Sequence, residues 1–273
     1  MSTREILIIP DIHGRAFFRD ALYEALRNNT EVVCLGDYLD PYEEDGITNE
    51  EAFTIMEEVI EAKKARPHMV HLLIGNHDSS YLYAPEMCPS RFDYDNAQRN
   101  HEFFMKNSLY FDLFYDTHIA GKRFLFSHAG ITSGWLSELG YSLQGIDEAL
   151  MSLKKEYMEY CLDNSKTAIW GKLSYVSKNR GGRNKNGSMI WADFFEHTDY
   201  LNWLKDNAMT QIVGHTQLNF HPVRVSDRLF CLDCGETFYI DRDGIIRSWR
   251  TGASVMNTDN FVSLKHDCEI RID

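Results

Sequence analysis

Apolar and polar positions alternate in blocks along the N-terminal half of the chain. Residues 6–9 (ILII) are uncharged, largely β-branched and closed by Pro10, the pattern of a short buried strand. Similar runs follow at 32–36 (VVCLG) and 69–75 (MVHLLIG). Between them lie ALYEALRNN at 21–29 and EEAFTIMEEVIEAKKA at 50–65, each with the spacing of one amphipathic helix. This βαβα order predicts a parallel or mixed sheet covered by helices. A further strand is expected in RFLFSHAG at 123–130. In the C-terminal third, QIVGH, FHPVRV, RLFCLD, TFYIDRDG and IIRSWR are short and closely spaced, with DRDG as a hairpin turn. They predict a second, more antiparallel sheet. The fold expected is α/β in layers: two mixed β-sheets packed as a sandwich and flanked by helices. One domain is expected over residues 1–273, with helical or irregular insertions at about 81–118 and 141–205. Within the second insertion, SKNRGGRNKNGS at 177–188 reads as a flexible loop.

The polar residues that close these strands change the picture. DIHG follows the first run, GDYLD the second and GNHD the third; SHAG and GHTQ close two later ones. Five strand ends thus deliver Asp11, His13, Asp37, Asn76, His128 and His215. In α/β sheets, ligand crevices form at the carboxyl ends of strands, so these side chains can converge. Each has a bland reading alone, as a turn-former or a satisfied histidine. Together they make two carboxylates, an amide and three imidazoles. That set exceeds one open tetrahedral zinc site, and suits two divalent ions about 3.5–4 Å apart sharing a carboxylate.

Composition narrows the partners. The formal net charge is −13 and the isoelectric point about 5.3, which disfavours nucleic acid and anionic membrane as broad partners. The six cysteines are scattered, and neither a basic–apolar leader nor a twenty-residue apolar span is seen, so a reduced, cytoplasmic protein is expected. Cys231 and Cys234 form one C-x-x-C beside an apolar run, with no second pair to complete a zinc site.

In their order, DIHG, GDYLD, GNHD, SHAG and GHTQ resemble the calcineurin-like metallophosphoesterases. The phosphoprotein phosphatase branch is closest, with the bacterial serine/threonine phosphatases and symmetrical dinucleoside tetraphosphatases. WAD at 191–193 and LDCG at 232–235 are weaker landmarks. The resemblance implies two divalent ions, manganese or iron with zinc as a possible partner. Asp11 and His13 would serve the first ion, Asp37 would bridge, and Asn76, His128 and His215 would serve the second. It implies a metal-bridging hydroxide attacking phosphorus, with His77 as general acid oriented by Asp40. A structural hydrogen bond is the competing role for His77. The family's GDxxDRG pattern fails here, because Pro41 stands where its phosphate arginine would be, and residues 194–214 hold no arginine. Arg15, Arg180 and Arg183 are the candidate replacements, the last two on a loop that is either a lid or a solvated basic segment. Tyr38 and Tyr42 are candidate lining residues. The substrates expected are a small phosphate ester, a nucleotide or dinucleoside polyphosphate, or a phosphoprotein. A non-hydrolytic, metal-bound sensor is the reading outside catalysis.

Overall fold

The computed structural model describes residues 4–83, 88–143, 145–218 and 221–255. β1 (Arg4–Ile9), β2 (Glu31–Cys34) and β3 (Val70–Leu73) run parallel, joined by α1 (Arg19–Asn28) and α2 (Asn49–Ala65). α2 begins at a reciprocal cap, in which Thr48 accepts from Glu51 N–H and the Glu51 carboxylate accepts from Thr48 N–H. It ends where Lys63 Nζ donates to Pro67 O and Val70 O, which ties the helix to β3. α3 (Asn76–Leu82) starts within two residues of β3, so the residues after that strand are already helical.

The chain continues through α4 (Ala97–Asn107), β4 (Phe111–Asp112), β5 (Phe114–Ile119), β6 (Lys122–Ser127), α5 (Ser133–Glu138), α6 (Ile146–Leu162), α7 (Ala168–Leu173) and α8 (Leu201–Asp206). It closes with β7 (Met209–Val213), β8 (Val223–Ser226), β9 (Leu229–Cys231), β10 (Phe238–Asp241) and β11 (Ile246–Ser248). One sheet has the order β11-β10-β1-β2-β3-β4 and the other β5-β6-β7-β9-β8. The expected sandwich of two mixed sheets flanked by helices is therefore present.

Two expectations need correction. The late strands do not form a sheet of their own: β10 pairs antiparallel with β1, and the β10–β11 hairpin completes the first sheet. The second sheet has a parallel centre instead, β6 with β7 and β7 with β9. Residues 111–112 and 114–118, assigned above to an insertion, lie in strands, the first pair in one sheet and the rest in the other. Short apolar runs carry no mark of their partners, since pairing is a long-range choice.

Burial on both faces explains the unbroken apolar runs. Ile6, Ile8, Val33 and Leu35 pack with Phe124, Phe126, Ile212 and Phe230 between the sheets. Leu7, Ile9, Val32 and Cys34 join the core that includes Ala21, Leu22, Ala52 and Ile55 of the helices. Among the described residues, no helix is long and apolar enough to cross a membrane.

Candidate active site

The six predicted ligands follow β1, β2, β3, β6 and β7, and a backbone lattice sets their positions. Ile12 N–H and His13 N–H both donate to Asp37 O (3.0 and 2.8 Å), and Gly14 N–H donates to Tyr38 O (2.9 Å). From below, the Asp78 carboxylate accepts from Asp37, Tyr38 and Gly75 N–H at 2.7, 3.0 and 2.9 Å. The segment after β2 thus meets those after β1 and β3. Its turns are tight enough to hold His13, Asp37, Asp40 and His215 at φ of 43°, 51°, 59° and 67°, a region side chains resist. Neighbouring glycines supply the remaining clearance: a Cβ on Gly75 would overlap Asp37 Oδ1, and one on Gly214 would overlap Asp11 Oδ1.

Two groups of ligand atoms share Asp37: His13, Asp37 and His77, and Asp37, His128 and His215. In the second group, His128 Nδ1 lies 2.9 Å from Leu35 O, an acceptor, so the proton sits on Nδ1. His128 Nε2 then faces Asn76 Oδ1 at 3.0 Å, His215 Nδ1 at 3.1 Å and Asp37 Oδ2 at 3.3 Å. Four lone-pair atoms crowd one point, which suits a cation better than any arrangement of protons. In the first group, His13 Nδ1 is engaged with Leu39 O at 2.8 Å, leaving Nε2 toward Asp37 Oδ2 at 3.7 Å. Asp11 is held at the His215 turn, where its two oxygens accept from His215 N–H at 3.1 and 2.9 Å.

Charge in the site follows from burial. Burial and the nearby Asp233 push Asp11 well above the ordinary carboxylate range. Burial acts the same way on Asp37, but attraction to His128 and His77 overcomes it and holds that carboxyl well below its usual value. Burial lowers His13 and His215 well below the ordinary imidazole, with repulsion from His77 and from Arg180 next in each case. For His128 burial is outweighed by Asp37 and Asp11, and its value is pushed up to about 9. Neutral His13 and His215 and ionised Asp37 are already in metal-ligating form, and on His128 a bound cation would take the place of the Nε2 proton that Asp37 and Asp11 favour. The donors present therefore fit divalent ions, and mixed nitrogen and oxygen ligation favours transition metals over magnesium.

Beside these groups His77 Nδ1 lies 2.7 Å from Asp40 Oδ2. His77 lines a cavity of about 310 Å³ with His13, Asp37, Asn76 and His215, and Arg91, Arg180, Tyr42 and Trp191 are among its other walls.

The calcineurin-like phosphoesterase family matches residues 4–219. The chain belongs to that family. It is a phosphoester hydrolase of a metal-dependent class, with His and Asp groups that could hold the ions. Among solved structures, it is similar to a cold-active protein-tyrosine phosphatase of the psychrophile Shewanella sp. The identity is 16% and the TM-score 0.58, over 90% of this chain and 80% of that one. Another structure of a cold-active protein tyrosine phosphatase gives 17% identity and a TM-score of 0.58, over 90% and 78%. A protein serine/threonine phosphatase from Saccharomyces cerevisiae gives 16% and 0.49, over 89% and 78%. At these identities the likeness concerns the fold alone. None of the curated proteins matches the sequence.

The predicted ligands are thus gathered about Asp37, with Asn76 beside His128 and Asp11 at the His215 turn, while the expected arginines divide. Arg180 lines the cavity, with its guanidinium held by Asp193 Oδ2 at 2.9 Å and Thr216 Oγ1 at 2.5 Å. Arg183 is exposed and does not appear in the cavity wall. Arg15 is turned to the backbone, donating to Asp11 O (2.8 Å) and Ile12 O (3.2 Å), with Asp233 at 3.8 Å. It braces the ligand turn. Tyr42 lines the cavity, but Tyr38 is core, donating to Leu73 O. The 177–188 segment is half integrated: Ser177, Asn186 and Ser188 are buried, and a Cβ on Gly182 would overlap Val176 O.

Arg91 was not foreseen. It lines the cavity, stacks over the Tyr42 ring at 3.9 Å, and donates from Nε to Asp40 O at 3.3 Å. It lies 50 positions beyond Pro41 in the chain, and no local pattern announced it. Asp78 was visible inside GNHD and Asp233 inside LDCG, but their contacts are tertiary. Cys231 and Cys234 are both free, and Cys231 is buried. Cys268 lies outside the described residues.

Proposed function

We propose that this phosphoesterase hydrolyses phosphate monoesters with two divalent ions sharing Asp37. Asp11 and His13 would serve one ion, and Asn76, His128 and His215 the other. Manganese or iron suits these donors, with zinc as a possible partner. Such ions, when bound, acidify a water and offset negative charge on the phosphoryl group.

The chain's own groups supply the rest. The Asp40 carboxylate accepts from His77 Nδ1–H, so the proton passed to a leaving oxygen would be carried on Nε2. Arg91 and Arg180 place two guanidiniums along the same cavity, matched to the non-bridging oxygens of a dianionic terminal phosphate. Each guanidinium is partly committed to protein acceptors, so it is oriented before substrate arrives. Trp191 and Tyr42 offer apolar surface to the leaving group. A cavity of about 310 Å³ is at the small end of ligand sites, which favours one phosphoryl group and a compact leaving group over a dinucleoside tetraphosphate.

The observation that carries this reading is the His77–Asp40 pair opening on a cavity shared by both ligand groups and two arginines. It is tested by turnover of a nitrophenyl monoester, a bis-nitrophenyl diester, a dinucleoside tetraphosphate and a phosphopeptide, each with manganese and with chelator. Monoester hydrolysis that chelation abolishes is the expected result. A clear preference for the diester or the dinucleotide would overturn the monoester reading. Silence on all four, with manganese bound by calorimetry, would leave a sensor.

A further inference from the structure

We infer that Tyr81 is a positioning residue that orients the general acid through Asp40. The inference rests on His77 being that acid.

α3 carries His77 and Tyr81 four residues apart, on one face of the helix. Asp40 joins them. One carboxylate oxygen, Oδ2, is 2.7 Å from His77 Nδ1, and the other, Oδ1, accepts from Tyr81 Oη at 2.5 Å. The direction of the second bond is fixed. Tyr81 Oη itself accepts from Asp93 N–H at 2.9 Å, so the phenol proton is left to point at Asp40. Burial and the Asp40 charge both push the phenol up, so it stays a donor. The ring is held as firmly as the hydroxyl: Phe92 stacks at 4.5 Å and 19°, and Phe104 at 5.9 Å and 3°.

The residue is 2% exposed and is not part of the cavity wall, so it does not act on substrate directly. Its effect must pass through the carboxylate. A charge-assisted hydrogen bond on Oδ1 stops the carboxylate from turning about its own bond and keeps Oδ2 aimed at His77 Nδ1. It thereby fixes the plane of the carboxylate, and with it the imidazole. An Asp40 held by His77 alone would orient the imidazole less well. Loss of Tyr81 Oη should therefore be felt where the leaving oxygen needs a proton, and little where it does not. An alkoxide leaving group needs one; a nitrophenolate does not.

The experiment uses the manganese-loaded protein and two monoesters, nitrophenyl phosphate and a simple alkyl phosphate. Four variants accompany the wild type: Tyr81→Phe, His77→Gln, Asp40→Asn and the double variant Tyr81→Phe/Asp40→Asn. Tyr81→Phe should lower kcat for the alkyl ester about tenfold and leave the nitrophenyl ester within about twofold, with KM unchanged. In the Asp40→Asn background it should add nothing, because its route is gone. Equal loss on both esters, or a full further loss in that background, would overturn the role.

His77→Gln keeps the two ideas apart. A larger alkyl than nitrophenyl loss there, with none in Tyr81→Phe, sinks only the Tyr81 role. No such bias in His77→Gln sinks the acid itself and the Tyr81 role with it. Should Tyr81→Phe fold poorly, a ring-fluorinated tyrosine at position 81 keeps the ring and its donor. It should retain the alkyl rate within about twofold, and a loss as large as an Asp40→Asn loss would count against the role.

Discussion

The ligand centre and the cavity rim are built by different parts of the chain. The centre comes from residues directly after β1, β2, β3, β6 and β7, locked by main-chain hydrogen bonds onto Asp37 and Tyr38. The rim comes from the stretches between strands: Arg91 before α4, and Arg180 and Trp191 between α7 and α8. Backbone bonds, with the Asp78 carboxylate beneath them, place the first set. The second set is placed by side-chain contacts, Arg91 on Tyr42 and Arg180 on Asp193. The proposed hydrolytic centre and the proposed substrate grip would therefore stand on largely separate supports.

Asp37→Asn tests the centre most severely, because both ligand groups use that carboxylate. Activity should fall by about three orders of magnitude or more, with tight manganese binding lost in calorimetry. Wild-type-like binding of two ions would break the picture of a shared ligand. A second variant, Gly214→Ala, attacks the same region through its backbone, since the new Cβ overlaps Asp11 Oδ1. Denaturant melts should show a loss of about 1–3 kcal/mol, and metal affinity should weaken.

At the rim, Arg91→Ala should reduce kcat/KM about 30-fold, roughly 2 kcal/mol, while calorimetry shows manganese binding unchanged. A fall in metal affinity would show that rim and centre are not independent. His197 offers a sharper probe, since it belongs to the 141–205 stretch yet supports the centre. Its Nε2 is 3.0 Å from Ala129 O, and a Cβ on Gly130 would strike its ring. Burial lowers it from 6.5 to about 4. A histidine depressed by folding favours the native state above its unfolded value and loses that contribution as pH falls through 6.5 toward 4. Stability in urea melts should drop by about 2 kcal/mol between neutrality and pH of about 5, and His197→Asn should flatten that slope. The smallest effect belongs to Arg183→Ala, where kcat/KM should stay within about twofold, as suits an exposed side chain outside the cavity.

How much of this was legible depended on how local the signal was. β1, β2 and β3 announced themselves as apolar runs, and the ligand after each sits within four residues of its strand. The hairpin at DRDG was likewise local, with Asp241 capping Asp243 and Ile245 N–H. The partner of that hairpin was not local, and β10 joined β1 across more than 200 residues of chain. Arg15 shows the same limit at a single side chain. Its position beside DIHG suggested substrate, but the nearest acceptors are the carbonyls of its own turn.

The sequence alone therefore determined the parallel β-α units, the candidate ligand set and the absence of an arginine at Pro41. All three are encoded by neighbours within a few residues, through burial periodicity and turn chemistry. Tertiary structure decided which strands share a sheet, that Asp78 holds the turns of Asp37 and Gly75 together, and that Arg91 and Arg180 reach the cavity. It also decided that Tyr81 stands behind Asp40. Those contacts join residues far apart in the chain, and nothing in local propensity or spacing specifies which of many polar side chains will meet once the two sheets close on one another.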